Sequence, residues 1–249
     1  GIKQFCAVID HKSMLEHTLE RVERLIPRTR VLVIVSQDHR EEAEPQLAHW
    51  PQENVIFQPH NRDTAPGILL PLAHITQREP FATVAIFPSD HFILDEVRFL
   101  DYVRAAIIET RRFPHELTLL GVTPTELEEG YGWIEPGEPE EHRGTRSVCR
   151  FWEKPSPLQA HALLRRRALW NTFVGVAQAN TLWEMTRQAA PDLYLDFMSI
   201  RRAITFAHLR EIIESVYGSM REVNVSTEIC RPLVERLRVL PASDVGWSD

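Results

Sequence analysis

The sequence predicts an α/β protein: a mostly parallel sheet with helices on both faces, continued by a half of α+β character. Three observations carry this. Up to Pro124, short runs of β-branched and small apolar residues alternate with longer segments of helical apolar spacing. Beyond Pro124 the alternation gives way to extended, Pro- and Gly-rich stretches. With 249 residues and 43% hydrophobic content, the chain can bury a sizeable core. No repeat and no linker interrupts it, so residues 1–249 are read as a single domain.

SMLEHTLERVERLI has helical spacing, with Ser13 as N-cap and Glu16 completing a capping box. RVLVIVS, Arg30 to Ser36, reads as a buried strand, and HREEAEPQLAHW as a short helix bent or started near Pro45. NVIFQP is a strand. TAPGILLPLAHITQRE is a helix starting at Thr64 with Pro66 in its first turn. ATVAIFPSD is a strand, EVRFLDYVRAAIIETRRF a helix and ELTLLGVTP a strand. YGWIEPGEP and RSVCRFWEKP are extended segments around an acidic loop, Gly137 to Gly144. SPLQAHALLRRRALW is helical, TFVGVAQA a strand, and further helices run through Tyr217. RLRVLPASDVGWSD is a strand leading into a loop.

Composition narrows the function. The net charge of -7 is spread over mixed signs, and no basic block suits nucleic acid. Three distant cysteines, Cys6, Cys149 and Cys230, give neither a disulfide framework nor zinc-ligand spacing. No histidine pair has the HExxH form. No apolar run is long enough for a membrane span, and the first residues lack a signal-peptide core. A cytoplasmic location is the expectation. Of 28 basic residues only Lys3, Lys12 and Lys154 are lysine. A coding preference for arginine accounts for the scarcity, yet arginine cannot replace lysine where a compact point charge must meet a phosphate, so the retained lysines are candidates to follow.

In an open parallel sheet, ligands bind outside the carboxyl ends of the strands. Three polar clusters leave strands there: Pro59-His60-Asn61-Arg62-Asp63-Thr64, Ser89-Asp90-His91 and Thr123-Pro124-Thr125. Each can be turn and capping chemistry. Alternatively, Asp90 is aimed at something bound.

In order along the chain come KQF, KSMLEHTLERV, RDTAP, FPSDH, GVTPTELEEGYGWIE, FWEKP, LWNTFV and VGWSD. This ordered set, covering nearly the whole chain, resembles the sugar-nucleotide pyrophosphorylases, most closely the mannose-1-phosphate guanylyltransferases. The resemblance implies a Rossmann-like nucleotidyltransferase core with an α+β sugar-binding half. It implies transfer of GMP from GTP to mannose 1-phosphate, giving GDP-mannose and pyrophosphate with Mg2+. By analogy it implies a homodimer. Only the end of the family's opening signature, a Gly-rich GGxGxR loop with a Pro-Lys pair, is present at Gly1-Ile2-Lys3, and the family's continuation past GWSD is not in these 249 residues. Asp63 stands where the family usually has Asn. Three alternatives stay open: a non-catalytic sugar-nucleotide-binding regulatory homologue, a pyrophosphorylase for another sugar and base, and a metal-dependent glycosyltransferase. The last wants a DxD after a strand, which Ser89-Asp90-His91 does not supply.

The reaction joins two polyanions, so catalysis is positioning and charge neutralisation. By resemblance, Lys3 meets the phosphates and Lys154 the sugar phosphate, whereas Lys12 is a surface residue. Glu153 accepts from sugar hydroxyls, Asn171 donates and accepts, and Gly132 lets the backbone approach the sugar. Trp133, Trp152 and Trp170 flank these positions as packing or pocket wall, with sugar stacking the alternative. Arg62, Asp63, Thr64 and Ala65 lie by the nucleotide. Asp63 either accepts from the N1–H and N2–H2 edge of guanine or serves as a helix-start charge. Asp90 and Asp249 are the magnesium ligands, since the ion takes one or two carboxylates and completes its shell with phosphate and water. His91 packs beside them or supports them from behind rather than ligating, since magnesium prefers oxygen.

Overall fold

A computed structural model describes residues 3–9 and 11–249, with backbone only for Ala7–Ile9. Gly1 and Ile2 of the opening signature lie outside the described residues. The chain divides into two compact units, one from the N-terminal 82 residues with Thr186–Val225, the other Thr83–Met185 with Ser226–Asp249.

In the first unit, β1 (Ala7–Ile9) pairs antiparallel with β2 (Lys12–Ser13). Helix α1 (Met14–Glu23) follows, started by the expected capping box. Ser13 Oγ accepts from the Glu16 N–H at 3.1 Å, and the Ser13 N–H donates to Glu16 Oε2 at 2.8 Å. Strand β3 (Val33–Ser36) pairs in parallel with β4 (Val55–Gln58), with α2 (Arg40–Gln46) between them in sequence. Leu15, Leu19, Val33, Val35, Ala43, Leu47 and Trp50 form one core, which is why apolar positions recur at helical spacing in α1 and alternate in β3. Helix α3 (Thr64–Arg78) packs on the helix Pro191–Ala203, which packs in turn on Leu209–Ser219.

The second unit carries β5 (Thr83–Ile86), β6 (Phe92–Ile93), α4 (Glu96–Arg112), β7 (Leu117–Val122), β8 (Gly132–Pro136), β9 (Arg146–Glu153), α5 (Pro157–Arg165), β10 (Leu169–Gln178), β11 (Leu237–Ala242) and β12 (Trp247–Ser248). Its sheet has the order β5-β10-β7-β11-β9-β8, and β8 returns to pair with β10. So β10, β7, β11, β9 and β8 close a ring of hydrogen-bonded strands.

The α/β class holds, but the sheet is mixed rather than mostly parallel. β7 and β11 are parallel neighbours, while β10 runs antiparallel to β5, β7 and β8. β5 and β7 share one direction, as the strand–helix–strand alternation implies. They are not neighbours, because β10 enters from the opposite end and takes the place between them. Its burial on nearly every residue matches a central strand. The carboxyl ends of β5, β7 and β11 share one edge, and Asp90 and the segment Ser243–Asp249 follow directly from two of those ends.

Candidate functional site

At that edge a pair of aspartates meets one histidine. Asp90 leaves β5, and Asp249 follows β12, which pairs with β6 through Trp247–Ile93 and Ser248–Phe92. Asp90 Oδ1 and Asp249 Oδ2 each lie 3.8 Å from His91 Nε2. Both carboxylates are over a third exposed, whereas the His91 side chain is buried. On its far side, His91 Nδ1 accepts from the Trp247 indole N–H at 3.2 Å. Asp249 is held besides by its carbonyl, which accepts from the Tyr131 hydroxyl at 3.1 Å.

The sequence explains how Asp249 gets there. Gly246 has φ +61°, the left-handed region open to glycine, and a Cβ there would stand 2.5 Å from Leu94 Cβ. The Leu94 N–H donates to the carbonyls of Val245 and Gly246, both at 3.1 Å, and the Asp95 N–H to Val245 at 3.0 Å. The Gly246-Trp247-Ser248-Asp249 motif is thus a tight return against β6.

Gly132, Glu153 and Asn171 also come together. Gly132 is the register partner of Glu153, and a Cβ on Gly132 would sit 3.3 Å from Glu153 Oε2 and 3.4 Å from Asn171 Cβ. Asn171 is buried at a bulge of β10, where its Oδ1 accepts from the Phe173 N–H at 3.1 Å. Lys154 follows Glu153 with φ +45°, a strained turn for a lysine. Trp133 and Trp170 are core residues, 0% and 4% exposed, and so present no open face for stacking. Tyr131 joins the two residue groups, with ring centroids 5.1 Å from both Trp170 and Trp247.

The nucleotide candidates lie in the first unit. Gln58, Asn61, Asp63, Thr64, Gly67 and Glu222 line a cleft of about 510 Å³. Asp63 caps α3 with φ 69° and ψ -168°, a conformation almost confined to glycine. Its Oδ1 accepts from the Thr64 N–H at 2.6 Å and from Asn224 Nδ2 at 3.1 Å. The helix-start role is therefore met, and one carboxylate oxygen is engaged within the chain. Around it, the Val223 N–H donates to the Arg62 carbonyl at 3.1 Å, the Ala65 N–H to the Val223 carbonyl at 3.0 Å, and the Val225 N–H to Thr64 Oγ1 at 2.9 Å. Arg62 is anchored through Nε on the Tyr217 carbonyl at 2.9 Å, and Ala65 is buried. Asp63 and Thr64 thus line the cleft, while Arg62 and Ala65 flank them in sequence without lining it.

Lys3 lies in a short 3-10 turn, Lys3–Phe5, and is exposed; Lys12 pairs with Glu20 at 2.6 Å on the surface. Asn61 belongs to the polar cluster that the sequence places at a ligand edge, whereas Gln58, Gly67 and Glu222 as cleft residues, Tyr131 and Trp247 as props, and Asn224 as the partner of Asp63 carry no such sequence signal. Glu222 and Asn224 sit far along the chain from Asp63, and no local spacing connects them. Trp247, two residues before Asp249 in a matched motif, was the findable one.

A family model for nucleotidyl transferases matches residues 1–192 and so runs through parts of both units. The chain is 31% identical over 199 residues to a mannose-1-phosphate guanylyltransferase of Salmonella muenchen, covering 77% of this chain and 41% of that protein. It is 29% identical over 265 residues to mannose-1-phosphate guanylyltransferase 2 of Escherichia coli O157:H7, covering 99% and 53%. The chain thus spans about half the length of the curated relatives it matches. Among solved structures it resembles a Thermus thermophilus protein described as a mannose-1-phosphate geranyltransferase, with a TM-score of 0.86 and 26% identity over 99% of this chain and 68% of that one. With the family model covering most of its length and this fold beneath it, the chain belongs to the nucleotidyl transferase family.

Proposed function

We propose that the protein transfers GMP from GTP to mannose 1-phosphate, releasing pyrophosphate and forming GDP-mannose. The observation that carries the reading is the second unit's edge, where two carboxylates from distant segments flank one nitrogen and Gly132, Glu153 and Asn171 close together. Support comes from the Salmonella and Escherichia relatives, which are named for this activity. A sugar-phosphate oxygen attacks the α-phosphorus of GTP; a new P–O bond forms and the α–β bridge breaks, with the electron pair leaving on pyrophosphate. The 249 residues act in this reading as one nucleotidyltransferase domain.

Asp90 and Asp249 fit magnesium. They offer hard oxygen donors, and both are exposed enough to meet substrate. Asp90 and Asp249 would hold the ion, and phosphate and water would complete its shell. When bound, it offsets the repulsion between the two polyanions. Glu153 accepts from sugar hydroxyls, the Asn171 NH2 donates to one, Gly132 admits the ring, and Lys154 pairs with the sugar phosphate. In the first unit, Lys3 meets the triphosphate, and Asp63 and Thr64, backed by Arg62 and Ala65, face the base. The second carboxylate oxygen of Asp63 suits the N1–H and N2–H2 donors of guanine, which adenine lacks.

No helix among the described residues is long and apolar enough to cross a membrane. A cytoplasmic location goes with the reading. The test is pyrophosphate release by the full-length protein across a panel of nucleoside triphosphates and hexose 1-phosphates. GTP with mannose 1-phosphate should lead the panel. Preference for another pair overturns the substrate assignment, and silence across the panel overturns the enzyme.

A further inference from the structure

We propose that His91, locked by Trp247, is a positioning residue that sets Asp90 and Asp249 as a metal-binding pair. The inference rests on the reading of those aspartates as magnesium ligands. His91 is 5% exposed, and its Nδ1 accepts the Trp247 indole N–H at 3.2 Å. A ring nitrogen that accepts carries no proton, so the neutral ring bears its hydrogen on Nε2. The rings meet edge to face, 5.2 Å between centroids at 89°, and a flip of the imidazole would lose its hydrogen bond from Trp247. His91 Nε2 lies 3.8 Å from each of the two carboxylates, beyond hydrogen-bond reach of either. The equal distances let the polarised Nε2–H end of the ring attract both acids through space, which biases the two carboxylates toward one another.

The chain of positioning runs through the fold. Pairing of β12 with β6 brings Trp247 to His91, and the Tyr131 hydroxyl fixes the main chain at Asp249. A buried imidazole needs a partner for Nδ1 in any case; what packing alone does not call for is the second nitrogen set equally near two acids. Partners that orient ligating carboxylates tune metal affinity, commonly by about 10–100-fold when removed.

The probe is Mn2+, titrated into full-length protein and followed by the loss of the free-ion electron paramagnetic resonance signal. His91→Phe should weaken binding by about tenfold or more. Trp247→Phe should weaken it by a smaller factor. His91→Gln, whose NH2 can take the place of Nε2–H, should recover most of the parent affinity, and His91→Asn should not. Circular dichroism melts accompany each variant. If His91→Phe does not fold, the Gln and Asn pair decides, and equal affinity for the two overturns the proposal. Parent-like binding by both Phe variants, with binding lost in Asp90→Asn, overturns the positioning role alone. Parent-like binding by Asp90→Asn overturns the metal reading beneath it.

Discussion

Replacing Gly246 by alanine should cost the protein its aspartate pair before it costs the fold. Gly246 sits at φ +61°, and an L-residue forced there pays about 1–2 kcal/mol. The added Cβ would stand 2.5 Å from Leu94 Cβ and 3.2 Å from Leu94 Cδ2. The Cδ2 contact can swing away, but the Cβ contact cannot, because both carbons are fixed to main chain. Overpacking of that kind costs about 1–3 kcal/mol, so the combined strain is about 2–5 kcal/mol. β6 and β12 are two residues long each, held by a few main-chain bonds. Such an element opens locally for less than global unfolding costs. Most of the strain is therefore relieved by β12 leaving β6, which carries Trp247 and Asp249 away from His91. At about 2–4 °C per kcal/mol for a chain of this size, full transmission would lower Tm by roughly 4–20 °C. The expected drop lies at the low end, with Mn2+ affinity and turnover falling at least about tenfold. Calorimetry and a Mn2+ titration on the same preparation read both. Adding Leu94→Gly removes the clashing Cβ and should return all but the backbone cost of about 1–2 kcal/mol. A single variant with the parent's Tm and Mn2+ affinity would show that Gly246 does not govern where Asp249 sits.

Three further outcomes are expected. Asp90→Asn should lower turnover of the full-length enzyme by at least about two orders of magnitude, roughly 3 kcal/mol in the transition state, with little change in Tm; near-normal turnover at low magnesium returns Ser89-Asp90-His91 to an ordinary turn. Glu153→Gln should cost about 1.5–3 kcal/mol, roughly ten- to a hundredfold in kcat/KM for the sugar phosphate, and leave GTP affinity alone; the reverse pattern puts Glu153 in the wrong pocket. Burial, helped by the Arg78 charge, holds the His74 imidazole below its ordinary 6.5. The unfolded chain then binds the proton first, so stability is full above pH 6.5 and falls as pH drops below it toward the folded value. His74→Gln should flatten that part of the stability–pH curve, and an unchanged slope refutes the assignment.

Local chemistry was legible where it was local. The capping box at Ser13 and Glu16 needs only neighbours three apart, and it forms as read. β7 reads as a strand and is one, buried on all six residues. What could not be read is the order of strands, since β10 enters between β5 and β7 through long-range pairing that no window of sequence contains. RVLVIVS is overlong as a strand for a related reason: Arg28–Arg30 close a 3-10 turn, and regular pairing begins at Val33. In the site, Asp90, Asp249, Gly132, Glu153 and Asn171 follow from motifs, and the fold brings them into two groups joined by Tyr131 and propped by Trp247. His91 was expected to pack beside the acids, which it does. Its hydrogen bond from Trp247 was hidden because it joins segments at opposite ends of the second unit's sequence. The strained cap at Asp63 was hidden too, since its partner Asn224 arrives from a distant segment.

In the proposed reaction the Asp90 and Asp249 carboxylates serve nucleotidyl transfer to a sugar phosphate. Its most direct measurement is product stoichiometry: full-length protein with GTP, mannose 1-phosphate and magnesium, assayed for pyrophosphate and GDP-mannose together, beside Asp90→Asn and Asp249→Asn. The expected result is equal amounts of the two products from the parent, abolished by chelation of the metal and lost in both variants while each keeps its melting profile. Equal products from the parent and from both folded variants would contradict it.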